Sequence, residues 1–316
     1  MRWVCPERTK PTQRTYVVTG AASGIGAATA RYCRGRGGRV IACDLHDADV
    51  VADLTTAEGR AALVDGVTRL SEGRIDAIIA NAGGGTPETS LSLNFFGAVA
   101  TLEGLRPLLK ASSAPRAVVV SSVAALHSPV STLVEACLNM DEAAAVAAAR
   151  DAMAAAKRNP VGPNAPPGDA QAALHLYATA KYALQLWCRR AAAKPEWAGA
   201  GIPLNVIALG FFDTPAAAPV LSDPNRRAAM GRLAPLRGAY PGRPEEAAAA
   251  LFWCVSADNS QMTAGILIGF ARTRRIDALS ILALVDVVLS LLAFVLMASP
   301  AVACASCNCA DNSPKS

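Results

Sequence analysis

The chain has 316 residues, 52% of them apolar, with nine cysteines and a formal net charge of +5. That length suits one large α/β domain or two small ones. The basic residues are scattered and concentrate only at Arg272–Arg275, which leaves no nucleic-acid footprint, and cysteines set singly in apolar segments (Cys33, Cys43, Cys188, Cys254) fit reduced core thiols of a cytosolic compartment rather than a disulfide framework.

Met1–Arg14 carries charges, Pro6 and Pro11 but no apolar h-region, and is read as a flexible extension rather than a secretory signal. Thr15–Thr19 is a β-branched and aromatic run, a buried strand. It leads into Thr19-Gly20-Ala21-Ala22-Ser23-Gly24-Ile25-Gly26 and then the helical Ala27–Arg36. Strand, glycine loop and helix form the context of a dinucleotide site: glycines let a pyrophosphate approach the backbone, and the helix N-terminus offers N–H donors. A second strand, Arg39–Cys43, ends at Asp44. A carboxylate about 20 residues past the loop can accept from the adenosine ribose hydroxyls and repels a 2′-phosphate, so NAD(H) is expected over NADP(H); the plainer alternative is an Asp that merely ends a strand. Asp53 and Leu54 follow a short apolar piece and are placed beside the adenine.

Ala57–Leu70 reads as a helix and Ile75–Ala80 as a third strand, ending in Asn81-Ala82-Gly83, small residues against which a flat ligand can lie. Glu88–Lys110 reads as one long helix with Asn94 inside it; Asn is a poor mid-helix residue and faces solvent in the plainest reading. Ala117–Val120 is an apolar strand ending at Ser121-Ser122. Repeated strand–helix alternation predicts a parallel, doubly wound sheet with helices on both faces, a Rossmann-type α/β fold.

Val123–Leu176 reads as an insertion, helical at Glu135–Lys157 and broken at Asn159–Pro163 and Pro166–Gly168. The helix Ala170–Lys194 carries Tyr177 and Lys181. Four residues apart, phenol and ammonium share one face, and a cation beside a Tyr lowers its pKa from near ~10, fitting it for proton exchange with an alcohol or carbonyl oxygen. Such a pair also arises by chance on surface helices. Leu204–Leu209 is a strand running to Thr214, Ser222–Gly238 a short helix and loop, Glu245–Ser256 a helix opened by Pro244, and Gly265–Phe270 a last strand.

The order of these residues resembles the short-chain dehydrogenases/reductases over Thr15–Gly269. Thr19-Gly20-x3-Gly24-Ile25-Gly26 is similar to that family's cofactor loop, Asn81-Ala82-Gly83 to its sheet-edge motif, and Asn94, Ser122, Tyr177 and Lys181 to its catalytic tetrad. Within the family the chain looks most like the bacterial 3α-hydroxysteroid dehydrogenase/carbonyl reductase branch, through Asp47–Arg60, Asn94–Ala98, Val119–Ala124 and the long Ser-to-Tyr insertion. The resemblance implies an NAD(H)-dependent oxidoreductase acting on a small hydrophobic secondary alcohol or ketone. Tyr177 would be the acid/base. Lys181 would lower its pKa and bind the nicotinamide ribose, Ser122 would hold the substrate oxygen, and Asn94 a water. Thr19, Gly20, Ser23, Gly24, Ile25, Gly26, Asp44, Asp53, Leu54, Asn81, Ala82, Gly83 and Thr214 would join Tyr177 and Lys181 around the cofactor. An aryl-alcohol dehydrogenase of coniferyl-alcohol type is the nearest alternative, and a catalytically impaired, membrane-tethered NAD-binding sensor or scaffold is the alternative of another class. The family also implies a homo-oligomer paired through the helices bearing Asn94 and Tyr177, a surface the insertion could block.

Three departures stand out: Ala180 where the family has Ser, Leu209-Gly210 where it has Pro-Gly, and Ile266–Arg275 in place of its Val-Asp-Gly-Gly finish. Residues 271–316 form a hydrophobic tail whose 278–298 stretch is about 20 apolar residues, long enough to span a bilayer. Asp286 in it costs ~3 kcal/mol, which about a dozen Leu, Ile, Val and Phe at ~0.3–0.6 kcal/mol each outweigh. A membrane anchor, a helix packed on the enzyme or its partner, and a stretch appended by a faulty gene model all fit it. Cys304, Cys307 and Cys309 supply three thiols, short of the four ligands of a closed zinc site, so no metal is expected.

Overall fold

Seven strands form one sheet in the computed structural model, which describes residues 13–158, 168–231 and 240–268. They are β1 (Thr15–Thr19), β2 (Arg39–Asp44), β3 (Val50–Val51), β4 (Ala77–Ala80), β5 (Arg116–Ser122), β6 (Leu204–Leu209) and β7 (Ile266–Ile268), in the order β3-β2-β1-β4-β5-β6-β7, every pair parallel. A parallel sheet is covered on both faces, so its strands are apolar throughout rather than alternating; β4 and β6 are buried at every residue. Strand order reverses between β1 and β4, the switch point at which open parallel sheets of this kind bind ligands outside the strands' C-terminal ends.

On one face lie α1 (Gly24–Gly35) and α9 (Pro244–Val255), packed over Val18, Val40, Ile79, Val118 and Ile207. On the other lie α2 (Ala57–Ser71), α3 (Ala98–Leu105) and α6 (Gly168–Ala192), around Val17, Leu63, Ile78, Leu102, Val119 and Leu184. The insertion supplies α4 (Ser131–Leu138) and α5 (Glu142–Arg158), and α7 (Ala218–Leu221) and α8 (Pro224–Gly231) follow β6.

Two expected helices are broken. Glu88–Lys110 is not continuous: Ser92–Gly97 is a π-helical turn, followed by α3 and a 3-10 turn, Arg106–Leu109, with Pro107 in its first turn. The cause is Asn94, fully buried rather than solvent-facing, whose Nδ2 donates to the Ser90 carbonyl (2.8 Å) and to the Gly84 carbonyl (2.9 Å), so the side chain competes with the helical ladder. Glu135–Lys157 divides between α4 and α5 because Met140 takes a left-handed φ of 60° while Asp141 caps α5 through Ala144 N (2.9 Å).

The insertion is fixed to the body. Leu133, Cys137, Ala145 and Ala149 share a buried cluster with Leu176, Ala180 and Ala183, so α4 and α5 pack directly on α6. The breaks expected from Asn159 to Pro167, residues 232–239 of the expected loop, residues 269–270 of the last strand, the 278–298 stretch and Cys304, Cys307 and Cys309 lie outside the described residues. Among the described residues no helix is long and apolar enough to cross a membrane, and no group of three or more His, Cys, Asp or Glu gathers as a metal site.

Candidate active site

The glycine loop connects β1 to α1. Gly20 (φ 67°) and Gly24 (φ 50°) occupy the left-handed region, where other residues are strained. Gly26 lies inside α1, and a Cβ there would overlap the Gly20 carbonyl oxygen. The loop thus turns tightly over the first turn of α1. Ser23, extended at the N-cap, makes no side-chain cap, and neither it nor Ile25 is buried. The segment after β4 is stitched to this loop: Thr19 Oγ1 accepts from Asn81 N and Ala82 N, each at 3.0 Å, and Asn81 Nδ2 donates to the Thr19 carbonyl at 3.0 Å. Thr214, past β6, closes the loop's other flank, its Cγ2 3.2 Å from where a Gly24 Cβ would stand. Its hydroxyl oxygen caps a 3-10 turn at Pro215–Ala217.

Asp44 ends β2 half-buried, accepting from Ala22 N (2.8 Å) and from Leu45 N (2.7 Å). Its carboxylate therefore lies against the glycine loop. Asp53 differs: its Oδ1 accepts from Thr55 N (2.9 Å) and Thr55 Oγ1 (2.7 Å) in a local turn ahead of α2. Leu54 beside it is buried in the core.

The second cluster forms where β5 ends and α6 passes. Ser122 caps the turn Val123–Leu126, accepting from Ala124 N at 3.1 Å, and its hydroxyl faces the Tyr177 phenol closely enough to act on its pKa. Lys181, 2% exposed, donates from Nζ to the Val120 carbonyl at 2.9 Å, with Nζ 5.8 Å from the Tyr177 ring centre. Asn94 Oδ1 accepts from Gly84 N at 3.1 Å. A Cβ at Gly83 would lie 3.0 Å from Asn94 Oδ1 and 3.2 Å from Lys181 Nζ, so carboxamide and ammonium flank the small space over that glycine.

The electrostatics correct the expectation drawn from the Tyr–Lys spacing. Burial pushes the Tyr177 pKa up, with the Ser122 hydrogen bond acting against it. Burial also lowers Lys181 to about 8, and nearby Cys188 opposes that. Both groups are driven toward their neutral forms, because spacing on a helix fixes proximity but not dielectric.

Two supports escaped sequence reasoning. Ser121 Oγ donates to the Lys181 carbonyl (3.2 Å) and accepts from Gln185 Nε2 (2.9 Å), pinning α6 to β5 beside Ser122. Gln185 one turn past Lys181 was the available signal. Arg60 and Glu142 form an ion pair 82 residues apart, which no local pattern announces.

A short chain dehydrogenase model matches residues 14–134, and an Enoyl-(Acyl carrier protein) reductase model matches 168–268. A 3-alpha-hydroxysteroid dehydrogenase/carbonyl reductase of Comamonas testosteroni is 35% identical over 249 residues, 76% of this chain and 88% of that one. The crystal structure of a 3-alpha-hydroxysteroid dehydrogenase from Pseudomonas sp. B-0831 complexed with NADH superposes with a TM-score of 0.69 at 31% identity, covering 81% of this chain and 96% of that one. Thermoplasma acidophilum aldohexose dehydrogenase shares the fold, with a TM-score of 0.57 at 21% identity over 82% of this chain and 93% of its own.

Proposed function

The chain belongs to the short-chain dehydrogenase/reductase family and is an oxidoreductase that interconverts an alcohol and a carbonyl compound; from that premise we propose that it uses NAD(H) on a hydrophobic secondary alcohol or ketone of 3α-hydroxysteroid type. The observation that carries the reading is the meeting of Ser122, Tyr177 and Lys181 beside the space over Gly83. A dinucleotide fits the residues present. The cradle formed by Gly20, Gly24 and Gly26 has no room for a Cβ at position 26, and Thr19, Ser23, Ile25, Asn81, Ala82 and Thr214 surround it. Asp44, held at the loop, would face the adenosine ribose and disfavour a 2′-phosphate. A relative of known structure was solved with NADH.

Bound nicotinamide supplies or accepts the hydride. Tyr177 exchanges the proton with the substrate oxygen, and Ser122 donates to that oxygen as its charge develops. Lys181 would reach the nicotinamide ribose, and Asn94 Oδ1 with Lys181 Nζ would hold a water over Gly83 that carries protons outward. Leu126, which is 59% exposed after the Ser122 turn, and Phe211, whose ring meets Tyr240 at 6.5 Å, supply apolar surface at the ends of β5 and β6. Steady-state rates with NAD and NADP on hydroxysteroids and aryl alcohols test the assignment. Turnover of a 3α-hydroxysteroid with NAD, lost in Tyr177→Phe while NADH still binds, is expected. Equal turnover in that variant removes Tyr177 from its role, and preference for NADP removes Asp44 from its.

A further inference from the structure

Arg60 lies on α2, and no step of the proposed chemistry uses it. Its side chain is 13% exposed and bonded on every side. Nε donates to the Leu54 carbonyl at 2.8 Å, and Nη2 donates to the Ser92 carbonyl at 3.0 Å and the Thr55 carbonyl at 3.3 Å. Nη1 and Nη2 also form a two-pronged pair with Glu142 at 2.6 and 2.7 Å. Glu142 opens α5, and the Arg60 guanidinium and the nearby Ser92 hydroxyl hold its pKa down against burial. One guanidinium thus fastens three segments: the turn before α2, the π-helical turn that carries Asn94, and the insertion. Only a planar fork with several donors can do this; a Lys ammonium is a point donor.

The turn it holds is the one next to the cofactor loop. Ala52 N donates to the Asp44 carbonyl at 2.9 Å, and Asp44 in turn holds Ala22. The Leu54 carbonyl is fixed from two sides, by Arg60 and by the π-helical turn, where a Cβ at Gly97 would stand 2.8 Å from it. We propose that Arg60, aimed by Glu142, is a positioning residue for the adenosine end of the dinucleotide site, so that the insertion acts on cofactor affinity from outside the pocket. This rests on the reading above that Asp44 faces the adenosine ribose. Without the Glu142 charge, a guanidinium this buried lacks its counterion and moves toward water, releasing the Leu54 and Ser92 carbonyls.

The test uses Glu142→Gln, Arg60→Lys and the reversed pair Arg60→Glu/Glu142→Arg in the full chain. NADH affinity is read by fluorescence, 5′-AMP affinity by competition, and folding by circular dichroism and thermal melting. Both single variants are expected to weaken NADH and 5′-AMP together by about tenfold, with substrate KM at saturating cofactor unchanged. The reversed pair is expected to recover melting temperature but not affinity, since a Glu at position 60 cannot donate to three carbonyls. Affinities within twofold of wild type in both single variants overturn the proposal, as does recovery of affinity in the reversed pair. The cofactor reading fails separately: a wild-type chain that prefers NADPH removes the Asp44 assignment, while the 5′-AMP comparison still reports on Arg60.

Discussion

Lys181→Met should stabilise the fold while abolishing turnover. The wild-type ammonium is 2% exposed, and burial lowers its pKa from 10.5 to about 8. At about 1.4 kcal/mol per pKa unit, the charged form costs about 3 kcal/mol in the folded chain. The unfolded chain takes up the proton near pH 10.5 and the folded chain near 8. Below pH 8 both states are charged and the whole penalty is present. Between 8 and 10.5 the unfolded state binds more protons, so wild-type stability rises with pH and the penalty disappears. Met fills a similar volume without charge but gives up the 2.9 Å bond to the Val120 carbonyl, about 1 kcal/mol. The net at pH 7 is a gain of about 2 kcal/mol, or about 4–8 °C in melting temperature for a domain of this size. Above pH 10.5 the gain becomes a loss of about 1 kcal/mol. Denaturant titrations of both proteins from pH 7 to 10.5, plotted as the difference, cancel every other titration. A variant less stable than wild type at pH 7, or a difference that does not change with pH, would refute the picture of a dry, charge-penalised Lys181.

Ser122→Ala removes the contact that opposes the upward shift of Tyr177; alcohol oxidation should slow by about 10²–10³, and the acid limb of its kcat/KM profile, where rate rises as the phenol loses its proton, should move to higher pH, whereas an unmoved limb denies Ser122 its effect on the phenol. Gly26→Ala places a Cβ on the Gly20 carbonyl, so NADH binding should vanish in fluorescence titration while the sheet's circular dichroism persists; normal binding shows that the loop yields freely.

The glycine loop was legible because its demands are local: Gly20 and Gly24 take positive φ, and Gly26 must clear a carbonyl six residues back. The strands were legible because a sheet covered on both faces writes each strand as an apolar run, and Leu204–Leu209 appears with both bounds as read. The breaks were not. Asn94 disrupts its helix through Gly84, whose carbonyl meets Nδ2 only after the chain folds back. Met140 leaves the helical region inside an alanine-rich stretch of high helix propensity, and no Gly or Pro marks the place. Asp53 was placed beside adenine because it follows an apolar piece, and one of its carboxylate oxygens, Oδ1, is taken by Thr55 two residues on. The sequence held the signal for that turn in Asp53-Leu54-Thr55, a local Asx pattern.

The Tyr177–Lys181 pair shows most sharply what spacing leaves out. Four residues on one helix face bring the two side chains near each other, and Nζ is 5.8 Å from the ring centre. The ammonium, however, turns to the Val120 carbonyl on β5 rather than to the phenol oxygen. Helix α6 lies on the sheet, and the same packing that delivers both groups to the end of β5 removes the water that would keep Lys181 fully charged and let Tyr177 ionise. The Ser122 hydroxyl, placed by β5 and not by the helix, is what pulls the Tyr177 pKa back down. At neutral pH the free chain therefore keeps the proton on the Tyr177 oxygen, the state that the proposed reduction of a ketone would use. Under the proposed chemistry alcohol oxidation would need that proton gone, and the Ser122 hydroxyl is the group that acts on the phenol in that direction.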